Sequence, residues 1–260
     1  MPASPPASLP AVTDAQRRAF RTHGYLVVPG VLDPAQVARG LAAAERLLAE
    51  DPPPHGHLGH LARWPRFGPA GHPLLDFYRE ARIAELAAGL LRPGLALEEP
   101  DFAQLAVTVP PWPHRPGHPH LDGLVPPAAD GVPGTFTLLA GLWLADQTRP
   151  HQGNLWVWPG THLAAGAYLA EHGADALARP ETLGPGPYPP VELGEPDQAR
   201  GPAGSVVFAH YLLAHNIGGH DGPAGADWRR TLYFRLRTVG HRDRWRTCVT
   251  DPMHEFRRPG

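Results

Sequence analysis

Gly204-Ser205-Val206-Val207-Phe208-Ala209-His210-Tyr211-Leu212-Leu213-Ala214-His215-Asn216 is the stretch on which the fold turns. A β-branched and aromatic run that opens after Gly-Ser and returns to polar residues reads as a short strand passing into a loop. Runs of the same kind recur at 103–109, 135–144, 155–158 and 231–237, separated by loops dense in Pro and Gly. Several short strands punctuated by turns predict an all-β barrel or sandwich.

Upstream the grain is different. Thr13 precedes a helical pattern over 14–22 that Gly24 stops, and Tyr25-Leu26-Val27-Val28 follows as a strand. Asp33 caps a second helix with Pro34 at its first position, along which Val37, Leu41, Ala44, Leu47 and Leu48 recur at helical spacing. A third helix is expected over 75–91, closing at Pro93-Gly94, and a weaker one over 163–179. The fold class is therefore mainly β with flanking α-helices, organised as one domain over 13–260 behind a disordered leader, 1–12.

Composition narrows the function. Pro (34) and Gly (29) together make up about a quarter of the 260 residues, close to a disordered composition, but 42% hydrophobic content and a net charge of −2 place the chain among globular proteins. There is no lysine, so all 23 basic residues are Arg, as a GC-rich genome produces. A charge this close to zero offers no footprint for nucleic acid or an anionic membrane surface. One cysteine, Cys248, forms no internal disulfide, no run reaches the length of a membrane span, and residues 1–10 lack a signal-peptide pattern. The expectation is a cytoplasmic protein acting on a small-molecule substrate, with no obligate protein partner evident.

Sixteen histidines are many, and one segment stands apart: His114-Arg115-Pro116-Gly117-His118-Pro119-His120-Leu121-Asp122-Gly123. On a strand, His120 and Asp122 share a face. Joined by a distant second His, here His215, they compose the 2-His-1-carboxylate triad that holds Fe(II) on one side and leaves three positions for co-substrate and O2. Beyond His215, Trp228-Arg229-Arg230-Thr231-Leu232-Tyr233-Phe234 opens another strand, and an Arg at its start would hold the far carboxylate of 2-oxoglutarate. Arg229 shares a face with Thr231, Tyr233 and Arg235, and Arg230 with Leu232, Phe234 and Leu236. The polar face is expected to look into the metal cavity, which favours Arg229. His118, His210 and His220 compete for the ligand roles, and His55, His57 and His60 could compose a zinc site. Trp64, Trp112 and Tyr211 are candidates for a substrate pocket or for the core.

With these residues in order the chain resembles the phytanoyl-CoA dioxygenase-like oxygenases over nearly its whole length. The opening Phe20-Arg21-Thr22-His23-Gly24-Tyr25-Leu26-Val27-Val28-Pro29-Gly30-Val31-Leu32-Asp33 is similar to the family's helix–strand–helix start. Gly153-Asn154-Leu155-Trp156-Val157-Trp158-Pro159-Gly160-Thr161-His162 is similar to its stretch ending in Pro-Gly-Ser/Thr-His. The resemblance implies a double-stranded β-helix (jelly-roll, cupin-like) core. It implies Fe(II) on His120, Asp122 and His215, 2-oxoglutarate on Arg229, and O2 as second co-substrate, with Gln104 and Thr135 as further co-substrate contacts. The implied reaction hydroxylates a substrate while 2-oxoglutarate is converted to succinate and CO2. A carboxylate at Asp122 argues against halogenation, whereas desaturation, ring formation and epimerisation stay compatible. The rivals are a metal-binding β-barrel without turnover, such as a sensor, and a cupin-type metal-dependent hydrolase or isomerase.

Overall fold

A computed structural model describes residues 11–50, 52, 59–68, 71–124, 130–183 and 186–256. Most of the expected leader, 1–10, and His55 and His57 of the zinc reading lie outside these. The order is α1 (Asp14–His23), β1 (Tyr25–Val28), α2 (Pro34–Glu50), β2 (His60–Arg63), α3 (Pro73–Glu80), α4 (Ile83–Ala88), β3 (Gln104–Thr108), β4 (Leu138–Trp143), β5 (Leu155–Val157), α5 (Thr161–His172), β6 (Asp197–Gln198), β7 (Val206–His210), β8 (His215–Ile217), β9 (Arg229–Leu236) and α6 (His241–Thr250). A six-stranded sheet runs β1-β7-β4-β9-β3-β2 and a three-stranded sheet runs β6-β5-β8, with every pairing antiparallel. The architecture is the two-sheet, cupin-like jelly roll, with the sheets not closed into a barrel.

Period-two alternation sorts the large sheet into two faces. Leu26, Val28, Leu105, Val107, Leu138, Ala140, Leu142, Val206, Phe208, Leu232, Phe234 and Leu236 pack against α1 to α4 in one cluster. Ala106, Leu139, Trp143, Val207, Ala209 and Tyr233 belong to a second cluster with Leu155 and Val157 of the small sheet and residues of α5 and α6. Phe234 and Leu232 are fully buried, each worth about 1.5–3 kcal/mol of transfer free energy. A cavity opens on the second face, between the sheets.

Local signals explain the helices upstream. Thr13 and Gln16 form a capping box on α1, and Gly24 takes the left-handed conformation (φ 81°) that ends it. Asp33 Oδ1 accepts from Gln36 N at 2.8 Å while Gln36 Oε1 accepts from Asp33 N at 2.8 Å.

Four features differ from expectation. Val12 of the leader is 5% exposed and packs in the core. The helix expected over 75–91 is two helices, because Arg82 turns the chain at φ 51° between Leu- and Ala-rich segments that carry no breaker. Helix α6, rich in charge, reaches the core only through His241, Trp245, Cys248 and Val249, too few to show as a pattern. His120 sits at an isolated bridge to His215 and Asp122 in a turn, rather than on a regular strand.

Candidate iron and co-substrate site

The segments that carry His120 and His215 meet through the backbone: His120 N–H donates to His215 C=O at 3.1 Å, and the carbonyl of Pro187 accepts from Leu121 N–H at 3.4 Å. Leu121 is thereby buried (3% exposed) and its two neighbours share the cavity side. His120 Nε2 lies 3.4 Å from Asp122 Oδ1, and the His120 and His215 rings are 4.7 Å apart. One donor atom from each of His120, Asp122 and His215 falls within 4.8 Å of the others. All three line one cavity of about 460 Å³, counted to its open mouth, together with Gln104 and Arg229; Ala106, Leu139, Leu155, Ile217 and Tyr233 form its apolar part.

The protonation states suit a divalent cation. His215 Nδ1–H donates to Leu213 C=O at 2.9 Å, which leaves Nε2 with a lone pair. Burial, with neighbouring His120 adding to it, pushes the His215 imidazole down to about 4, so it is neutral at pH 7. For Asp122 burial alone would raise the carboxyl, but the hydrogen bond from His120 and the charge of Arg235 hold it below the usual carboxylate range. Arg235 Nη2 stands 3.2 Å from Asp122 Oδ2.

Arg229 opens β9 opposite Thr108 of β3 and is 1% exposed. Its Nη2 donates to Tyr233 Oη at 2.6 Å, while Nε and Nη1 have no partner. A buried guanidinium with free donors, and no acidic partner among the described residues, fits an anion entering the cavity. The hydroxyl of Thr108 and Oε1 of Gln147 are also buried without a partner. Gly153 presses its Cα on this corner, since a Cβ there would come within 3.0 Å of both Arg229 Cβ and Thr108 Cβ. Arg230 points the other way, over Trp228 and 3.5 Å from Glu45 of α2.

The remaining candidates separate. Gln104 reaches the cavity. Thr135 does not: its hydroxyl lies 3.1 Å from His241 Nε2, in a buried cluster where the His241 ring also meets Glu255 at 3.1 Å and ties α6 to the sheet. The co-substrate role expected of Thr135 is corrected accordingly. It failed because 135–137 precede β4 and face α6, which no pattern had announced. His118 is exposed, His210 Nε2–H donates to Pro252 C=O at 2.8 Å away from the cavity, and His220 pairs with Trp112 in an isolated bridge. His60 lines the cavity beside Trp112, whose ring also stacks on His114 at 4.6 Å. Tyr211 packs edge-on against Phe136 at 4.8 Å, and Trp64 is 55% exposed. Arg235, Tyr233 and Thr108 went unselected in the sequence, although the parity that favoured Arg229 already placed Tyr233 and Arg235 on its face.

Comparison with known proteins identifies the family and the fold. Ectoine dioxygenase of Stutzerimonas stutzeri (strain A1501) is 27% identical over 249 residues, which span 91% of this chain and 80% of that protein. The structure of EctD from S. alaskensis with bound Fe superposes with a TM-score of 0.60 at 22% identity, covering 92% of this chain and 80% of that one. HygX from Streptomyces hygroscopicus, solved with nickel and 2-oxoglutarate bound, matches with a TM-score of 0.53 at 20% identity over 88% of each chain. The structural likenesses speak to the fold. Residues 20–230 match the model of the family described as Phytanoyl-CoA dioxygenase (PhyH), and the chain belongs to that family of non-haem iron- and 2-oxoglutarate-dependent dioxygenases, with O2 as the second co-substrate.

Proposed function

We propose that this protein hydroxylates a small molecule, with His120, Asp122 and His215 as the iron ligands and Arg229 as the anchor of 2-oxoglutarate. The observation that carries the reading is the convergence, in one cavity, of three ligand atoms within 4.8 Å and a buried Arg229 whose Nε and Nη1 lack partners. Bound iron would supply the activation of O2, coupled to oxidative decarboxylation of 2-oxoglutarate to succinate and CO2.

The chain's own groups prepare that chemistry. The Leu213 carbonyl orients the His215 ring and sets its tautomer. Arg229 and Tyr233 would neutralise and align the far carboxylate of 2-oxoglutarate, and Gln104 and Thr108 would add donors beside it. Leu139, Leu155 and Ile217 exclude water around the reacting centre. HygX has also been solved with hygromycin B bound, which supports a small-molecule substrate here.

The test is succinate release. Asp122→Ala should abolish substrate-dependent succinate formation, and anaerobic addition of Fe(II) and 2-oxoglutarate should give a weak visible absorption band in the wild type but not in the variant. Full turnover in Asp122→Ala, or no band in the wild type, rejects the reading in favour of a metal-binding protein without this chemistry.

A further inference from the structure

Asp122 offers its two oxygens to different neighbours. Oδ1 faces His120 Nε2 at 3.4 Å, on the ligand side, and Oδ2 faces Arg235 Nη2 at 3.2 Å. Arg235 comes from the inner face of β9, two residues beyond Tyr233, and is not among the residues that line the cavity. Its guanidinium lies 5.7 Å from the centre of the Phe102 ring and 5.6 Å from that of Phe136, and Phe136 is itself braced edge-on by Tyr211 at 4.8 Å. Held between two rings, the cation has a fixed place from which to grip one carboxylate oxygen.

A permanent positive charge one carboxylate away from a cation site opposes metal binding by Coulomb repulsion. Affinity therefore gives no reason for it, but geometry does. A carboxylate can bind a metal through one oxygen or through both, and a three-ligand face keeps three positions open only if a single oxygen is used. We propose that Arg235 is the positioning residue of this site: by occupying Asp122 Oδ2 it restricts Asp122 to ligation through Oδ1 and keeps the third open position free. The proposal rests on the reading of His120, Asp122 and His215 as metal ligands.

Mn(II) alone is the probe, since the protons of its bound water relax in proportion to the number of open positions. Wild-type protein loaded with Mn(II) should show the relaxivity of three exchangeable waters. Arg235→Met, which fills the slot between the rings without a charge, should lose about one third of it as Oδ2 displaces one water. Arg235→Lys, whose ammonium still reaches Oδ2, should keep the wild-type value. Melting of the metal-free proteins establishes that each variant is folded, and Arg235→Gln reads the same quantity should the Met variant not fold. An unchanged relaxivity in the folded neutral variant, or an equal loss in Arg235→Lys, overturns the proposal. Failure of the ligand reading looks different, because Mn(II) would then bind His215→Ala as tightly as wild type.

Discussion

Replacing Arg229 by Met tests the co-substrate site and the strand parity that selected this arginine over its neighbour. Arg229 is 1% exposed and spends only Nη2 on the protein, in the bond to Tyr233 Oη, leaving Nε and Nη1 free. Removing one partner of a buried charge pair costs about 3–5 kcal/mol, a loss of roughly two to three and a half decades in affinity for 2-oxoglutarate. At 100 times Kd, 2-oxoglutarate stabilises the Mn(II)-loaded wild type by about 2.7 kcal/mol, a rise in Tm of about 5–11 °C for a domain of this size. At that same concentration Arg229→Met retains about 0.4 kcal/mol or less, a rise of about 2 °C or less. Loss of intrinsic stability is bounded by the stranded Tyr233 hydroxyl, about 1–3 kcal/mol. The assay is a melting curve with and without 2-oxoglutarate, run beside Arg230→Met. Arg230 faces α2 in a partly exposed pair with Glu45, so its removal should cost about 0–1 kcal/mol and leave the full ligand-induced rise. A full rise in Arg229→Met, or its disappearance in Arg230→Met, refutes the reasoning.

Burial lowers His162 and His215 to about 4 and His210 to about 3, against an ordinary 6.5, so the unfolded chain binds more protons across that interval. Their stabilising contribution is fully present above pH 6.5 and is lost as pH falls toward 4, by up to about 1.4 kcal/mol per pH unit for each histidine. The urea midpoint of the metal-free protein should therefore drop steadily from pH 7 to pH 5, and a flat profile would contradict these assignments. Gly153→Ala places a Cβ at φ 81° within 3.0 Å of Arg229 and Thr108. It should cost about 1–3 kcal/mol of stability and weaken 2-oxoglutarate binding, measured by the same melting pair; a neutral result would mean this corner yields freely.

Strands β3, β4, β5, β7 and β9 lie where alternating or continuous apolar runs placed them, because a buried strand must carry that pattern along its own length. β2, β6 and β8 escaped notice: two to four residues are too few for a period, and their pairing partners are distant in the chain. Helix α6 escaped for a related reason, since it meets the core through a few side chains and is otherwise charged. Thr135 is claimed by His241 of this same helix, a partner that no local pattern around Thr135 announces.

By itself the sequence determined the two-faced strands, the capped helices and the order His120, Asp122, His215, Arg229, all of which depend on residue type and short spacing. Tertiary structure decided what those spacings leave open. The bridge between His120 and His215 brings a turn and a short strand face to face, and the inward face of β9 presents Arg229 to the cavity and Arg235 to Asp122. One arginine is left with free donors in the cavity and the other is pinned behind Asp122 between two phenylalanine rings. Residue type is the same for both. Burial and partners separate them, and those exist only once the sheets have packed.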